Sequence, residues 1–161
     1  MLAALGQIDP AGFLALGRAF LGCGLALWLG GGLSLLRATR ALFTVAPSRR
    51  EGGHSSGAIL ASFRAWQVLA IALCALGAIC GARGAGLQLG VASAAAFLIA
   101  LPVDASLRAL RARIGGSTEE LAPDDPRRKR WGRLHAASVL LLLGQTGAAG
   151  LGLWLLLLRG R

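Results

Sequence analysis

Four stretches of this chain are each apolar and long enough to cross a bilayer: residues 13–36, 65–82, 84–103 and 134–158. A span needs about 20 apolar residues at 1.5 Å rise per residue. Charge stays at their edges, with Arg18 one turn inside the first and Arg64 and Arg83 flanking the second. Backbone N–H and C=O groups in lipid must be satisfied within the protein, and a helix does this alone. The expected fold is therefore all-α, a four-helix integral membrane bundle forming one four-span domain over residues 1–161. Composition agrees: 55% of residues are apolar, 24 more are glycine, and 15% are charged, where soluble domains carry about 25% charged residues. A soluble enzyme domain and a disordered tail are both excluded.

The charges are lopsided, with 17 basic and 7 acidic residues and a net charge of +10. Arg37, Arg40, Arg49, Arg50 and Arg64 fall in the connection 37–64. Arg108, Arg111, Arg113, Arg127, Arg128, Lys129, Arg130 and Arg133 fall in the connection 104–133. The opposite side has Arg18, Arg83, Arg159 and Arg161. By the positive-inside rule both long connections are cytoplasmic and both termini lie outside. The basic excess then reflects topology and attraction to anionic headgroups, so no nucleic-acid partner is expected.

Start and stop signals place the helix ends. Asp9-Pro10 reads as an N-cap followed by proline at the first helical position, and Met1 to Gly17 lack the positive n-region of a signal peptide. The first helix is expected to extend past Leu36 toward Val45. Residues 46–56, rich in Ser, Gly and Arg, read as a flexible loop. Cys80 to Gly86 reads as a tight turn with glycines at the break. Past Val103 the apolar Leu107, Leu110 and Ile114 share a face, which predicts a cytoplasmic extension of the third helix ended by Gly115-Gly116. Ser117 to Glu120 fits a capping box. Asp125-Pro126 then opens a fourth helix of about 50 Å running to Leu158, longer than the ~30 Å hydrocarbon.

Small and polar residues recur at alternating steps of three and four, one stripe per helix. They are Gln67, Ala70, Cys74, Gly77 and Gly81; then Gly86, Gly90, Ser93, Phe97, Ala100 and Asp104; then Trp131, His135, Ser138, Leu142, Gln145, Ala149 and Gly152. Gly77/Gly81 and Gly86/Gly90 are small-xxx-small pairs that suit close helix packing. Leu140, Leu141 and Leu143 fall elsewhere and are expected to meet lipid. Asp104 and His135 lie on the inward stripes at the cytoplasmic level, with Arg64 and Arg40 at the same level. A carboxylate there calls for a partner, from this cluster or from Arg108 at i+4. The cluster is a candidate ligand- or proton-handling site, or a network that locks the helix ends.

No nucleophile triad, P-loop or dinucleotide fingerprint is present, and Gly30-Gly31-Gly32 lies inside a span without a following Lys. The chain has two histidines, one methionine and three cysteines (Cys23, Cys74 and Cys80) without metal-ligand spacing. No enzyme activity, cofactor or metal is expected.

Leu27-Trp28-Leu29-Gly30-Gly31, then Leu42-Phe43 and Ala46-Pro47, and Arg133-Leu134-His135-Ala136-Ala137-Ser138 resemble the transmembrane-protein-205-like domain family. Its members are small four-span membrane proteins, common in bacteria, whose domain is described as of unknown function. The family's Trp-x-Gly-Gly corresponds to Trp28, Gly30 and Gly31, and its Leu-His with a following Ser to His135 and Ser138. The resemblance implies a multi-pass protein of the bacterial inner (plasma) membrane. Copper-resistance D-like proteins are distantly similar and would imply metal, but this chain lacks their additional His and Met residues. The leading expectation is a non-catalytic membrane protein, an accessory or structural subunit packed against other membrane-protein subunits. The alternatives are a small transporter or ligand-binding protein using the Asp104/His135 mouth, and a haem- or quinone-associated redox subunit.

Overall fold

A computed structural model describes residues 9–47, 49–115, 118 and 120–158, apart from the side chains of 49, 50, 52–54 and 56. It contains four helices: α1 (Pro10–Val45), α2 (Arg49–Ile79), α3 (Ala85–Ile114) and α4 (Pro126–Leu158). No strand occurs among the described residues. All four helices are long and apolar enough to cross a membrane. At 30 to 36 residues they run roughly 45–54 Å, so each outreaches the hydrocarbon.

The ends follow local chemistry. The Asp9 carboxylate accepts from the Gly12 amide at 2.8 Å, with Pro10 at the first helical position. Gly81 and Gly84 adopt left-handed φ of 88° and 92°, and the Ala82 and Gly81 amides reach back to the Gly77 and Ala78 carbonyls. That pairing is a Schellman closure, which requires a left-handed residue after the helix. The Arg83 guanidinium also donates to the Ala78 carbonyl. α3 continues through Pro102 to Ile114 and stops at Gly115, φ 69°. At α4 the Asp125 carboxylate accepts from the Arg127 amide at 2.7 Å and from its guanidinium. The capping box expected over Ser117 to Glu120 lies partly outside the described residues.

The connection after α1 departs from expectation. Residues 49–56 are helical rather than a flexible loop, which leaves only 46–48 between α1 and α2. Glycine costs about 1 kcal/mol per site in a helix. A helix already nucleated downstream nevertheless extends at one hydrogen bond per residue, and Glu51 in the first turn complements the positive end of the dipole.

The helices pair antiparallel, α1 along α2 and α3 along α4. The two hairpins join mainly where α1 meets α4, while α2 and α3 touch only sparsely. The α1–α2 seam is built on three glycines seven residues apart. A Cβ on Gly17 would stand 2.6 Å from the Cys80 carbonyl, one on Gly24 would stand 2.8 Å from the Ala70 carbonyl, and one on Gly31 would enter the Phe63 ring. Gly32, next in sequence, sits instead against Thr146 of α4. Between the seams lie Leu21, Leu25, Trp28, Ala70, Cys74, Phe97 and Ala149, all buried. Lipid tails are as apolar as these side chains, so close van der Waals approach drives the pairing.

The four packing glycines expected from sequence divide. Gly77 abuts the Gly17 carbonyl, at 2.8 Å for an added Cβ, and Gly86 abuts the Gly152 carbonyl at 3.1 Å. Gly90 is in ordinary contact with Cys74 at 3.5 Å. Gly81 is a correction: its nearest neighbour is Leu14 at 3.9 Å, and glycine is required there by φ rather than by packing. The outward surface is apolar, with Leu98, Leu140 and Trp154 about 60% or more exposed. Leu141 is half-buried.

Gly17→Ala and Gly24→Ala are expected to lower the thermal midpoint in mild detergent despite the helix propensity gained. Gly30→Ala, with open space around its Cβ, is expected to raise it or leave it unchanged. A stable Gly24→Ala protein would sink the close-approach account. Arg127 holds the Asp125 carboxyl below its usual range, chiefly through their side-chain hydrogen bond. Its contribution to α4 is therefore complete above the ordinary Asp value of about 3.9 and is lost as pH falls through the depressed native value. The protection factor of the Arg127 amide, taken against the intrinsic exchange rate at each pH, is expected to be constant from pH 7 to 5 and to fall only under stronger acid.

Candidate functional site

Each helix other than α1 contributes polar side chains to a ladder inside the bundle. At its basic end Asp104 of α3 is buried, 7% exposed. It ion-pairs with Arg64 of α2 and accepts from the Ser138 hydroxyl of α4 at 2.7 Å. Deeper in, the Gln67 amide of α2 donates to the Gln145 side chain of α4 at 2.6 Å. The Ser93 hydroxyl lies 3.1 Å from the Gln145 backbone carbonyl and 3.0 Å from that of Leu89. The Thr146 hydroxyl returns to the Leu142 carbonyl in its own helix, over Gly32.

The register explains which residues meet. α2 and α3 run antiparallel, so Arg64 lies level with Asp104 and, seven residues on in each helix, Gly57 lies level with Arg111. From Asp104 to Ser93 along α3 is roughly 16 Å, about half the hydrocarbon thickness. The ladder thus runs from one membrane boundary to the middle, and the other half of the bundle is closed by glycine and leucine.

Between the two polar levels is a cavity of about 20 Å³, lined by Arg64, Gln67, Asp104, Ser138 and Gln145 with Leu60 and Leu101 among its apolar walls. That is room for about one water with several polar partners. Among the described residues, the one buried side-chain polar atom without a hydrogen bond is the Trp28 indole nitrogen.

Of the four sequence-level candidates, Asp104 and Arg64 are joined and the other two are not. His135 is exposed and its ring stacks on Trp131, centroids 4.8 Å apart and 10° from parallel. It lies on the inward stripe but its side chain is exposed, and Ser138 makes the contact to Asp104 expected of it. Arg40 is exposed on α1, which packs against α2 and α4 and only lightly against α3. Among the described residues it makes no ion pair with Asp104. Arg108, the local alternative, is not the partner either. Gln67, Ser93, Ser138 and Gln145 were on the inward stripes, and a polar residue on each facing stripe was the signal that could have grouped them. Among the described residues no set of three or more His, Cys, Asp or Glu side chains converges as a metal site.

The arrangement fixes helix register by satisfying polar groups across three helices. Asp104→Ala is expected to cost about 1–3 kcal/mol. Orphaning a buried charge costs 3–5, and partial exposure of Arg64 lowers that figure. The Arg64→Gln/Asp104→Asn double variant is expected to recover part of the loss in a double-mutant cycle of detergent unfolding. Strict additivity would mean that the pair contributes nothing. No family model matches the chain, and no curated protein or solved structure is detectably similar to it.

Proposed function

We propose that this chain is a non-catalytic, multi-pass protein of the bacterial inner membrane, acting as an accessory or structural subunit of a larger membrane complex. The carrying observation is the closed interior. Apart from the Trp28 indole, the described buried polar side chains have partners within the bundle. The cavity between the two polar levels is about 20 Å³, room for about one water. The resemblance to the transmembrane-protein-205-like domain family, noted from Trp28, Gly30, Gly31, His135 and Ser138, points the same way. The subunit reading draws support from the outward face, where Gly30, Gly144 and Gly147 have nothing within 4 Å of an added Cβ. Small residues on a lipid-facing surface permit close approach of a neighbouring helix.

In this reading the basic ends of the helices face the cytoplasm and the Gly81–Gly84 turn faces outward, following the positive-inside rule. Purification from the native membrane in mild detergent is expected to yield a stoichiometric complex with another membrane protein. A lone monomer with no co-purifying partner would overturn the subunit assignment. In a cysteine-free background, Arg83→Cys is expected to react with an impermeant thiol reagent from outside intact cells, and Thr118→Cys only after permeabilisation. The opposite pattern would invert the topology.

A further inference from the structure

The two hairpins are held together at α1–α4, and the other side of the molecule is left partly open. α2 and α3 touch sparsely, and the small cavity beside Asp104 lies among α2, α3 and α4, with Leu60 of α2 and Leu101 of α3 in its walls. The charge at the basic end of this fissure is uneven. α2 and α3 bring two acids there, Glu51 and Asp104. Asp104 is committed to Arg64 and Ser138, and Glu51 has interactions of its own. Against them stand Arg64, Arg108 and Arg111, one below another along the α2–α3 line. Arg111, which like Glu51 has an interaction of its own, reaches across to Gly57 of α2, its guanidinium 3.9 Å from where a Cβ would stand. Arg64 feels the positive charge of Arg108, and among the described residues Arg108 has no ion-pair partner. Arg108 is exposed and one turn beyond Asp104, which puts it at headgroup depth.

Like charges held together on adjacent helices, beside a seam that α2 and α3 leave loosely packed, are complementary to a phosphate carrying acyl chains. Basic pockets between transmembrane helices on the cytoplasmic side bind anionic headgroups in this way. We propose that the α2–α3 fissure is a binding site for an anionic phospholipid. Arg108 holds the phosphate, the charges of Arg64 and Arg111 flank it, and one acyl chain lies along Leu60 and Leu101. The bound lipid fills the seam that the two hairpins leave unpacked. This site is independent of whether the chain is a subunit of a larger complex.

The test is native mass spectrometry of the full chain in mild detergent, titrated with phosphatidylglycerol and with phosphatidylcholine of identical acyl chains. Phosphatidylglycerol is expected to bind at least fivefold more tightly. Arg108→Gln is expected to abolish that preference, and Arg18→Gln at the other end of the bundle is expected to keep it. Equal binding of the two lipids, or an unchanged preference in Arg108→Gln, would overturn the site and leave the arginines as topology signals alone. Inorganic phosphate at millimolar concentration is expected not to displace the lipid, and full displacement would identify a free-anion site instead. Should Arg108→Gln fail to fold, a photoactivatable phosphatidylglycerol on the unaltered chain decides the matter. Crosslinks at α2 and α3 around Leu60 and Leu101 support the site, and crosslinks confined to other helices reject it.

Discussion

Close approach between α1 and α2 is the constraint on which the rest of the bundle depends. In a bilayer no hydrophobic force separates a helix–helix contact from a helix–lipid contact, so attraction must come from contact distance and polar pairing. Gly17, Gly24 and Gly31 supply the distance. Their seven-residue repeat keeps one narrow face of α1 against α2 over two heptads, which is the period of left-handed supercoiling. With α2 so close, the next residues around α1 are aimed at α4. Gly32 accepts Thr146, and Leu25 and Trp28 fill the centre. A Cβ on Gly17 or Gly24 would meet the Cys80 or Ala70 carbonyl and push α2 further out, taking Gln67 away from Gln145, whereas one on Gly31 would displace the Phe63 ring.

The polar ladder and the glycine seam divide the work by depth. Toward the basic end, Arg64, Asp104 and Ser138 bind three helices where water and headgroups are near, and a partly exposed ion pair there is inexpensive. At mid-depth, where a charge would cost about 3 kcal/mol or more, the bundle uses neutral groups, an amide pair and a hydroxyl. Beyond that level, glycine and aliphatic side chains suffice. This gradient from charged to neutral to apolar follows the cost of burying each kind of group.

Much of this was legible in the sequence because the signals were local or periodic. Asp9-Pro10 and Asp125-Pro126 mark helix starts by hydrogen-bond chemistry that needs no tertiary context. The inward stripe of α3 reads correctly from Gly86 to Asp104 because buried residues keep helical spacing along a well-covered helix. What failed depended on which side chain of a stripe finds a partner. His135 shares a stripe with Ser138 and Gln145, but periodicity says which side of a helix a residue occupies and not which of the residues there meets Asp104. Arg40 sits on a helix that packs against α2 and α4 and only lightly against α3, which carries Asp104. The helix over residues 49–56 overrode its own composition because a long apolar helix was already in place to extend. Gly81 looked like a packing glycine because its spacing from Gly77 was right, and only its φ distinguishes it.

The pairing scheme also orders assembly. Each hairpin joins consecutive helices, α1 to α2 through residues 46–48 and α3 to α4 through 115–125, so its contacts are closer in sequence than those of the α1–α4 seam and less loop entropy has to be overcome. The α1–α4 seam joins the two most distant helices and completes last. A chain emerging from the ribosome can therefore finish its glycine-lined first hairpin before the second is made. The first hairpin then waits in the membrane with the Gly32 notch and half of the ladder, Arg64 and Gln67, still unmatched. Those unmatched groups form a template with one register, and the arriving α3–α4 hairpin satisfies it through Thr146, Asp104 and Gln145.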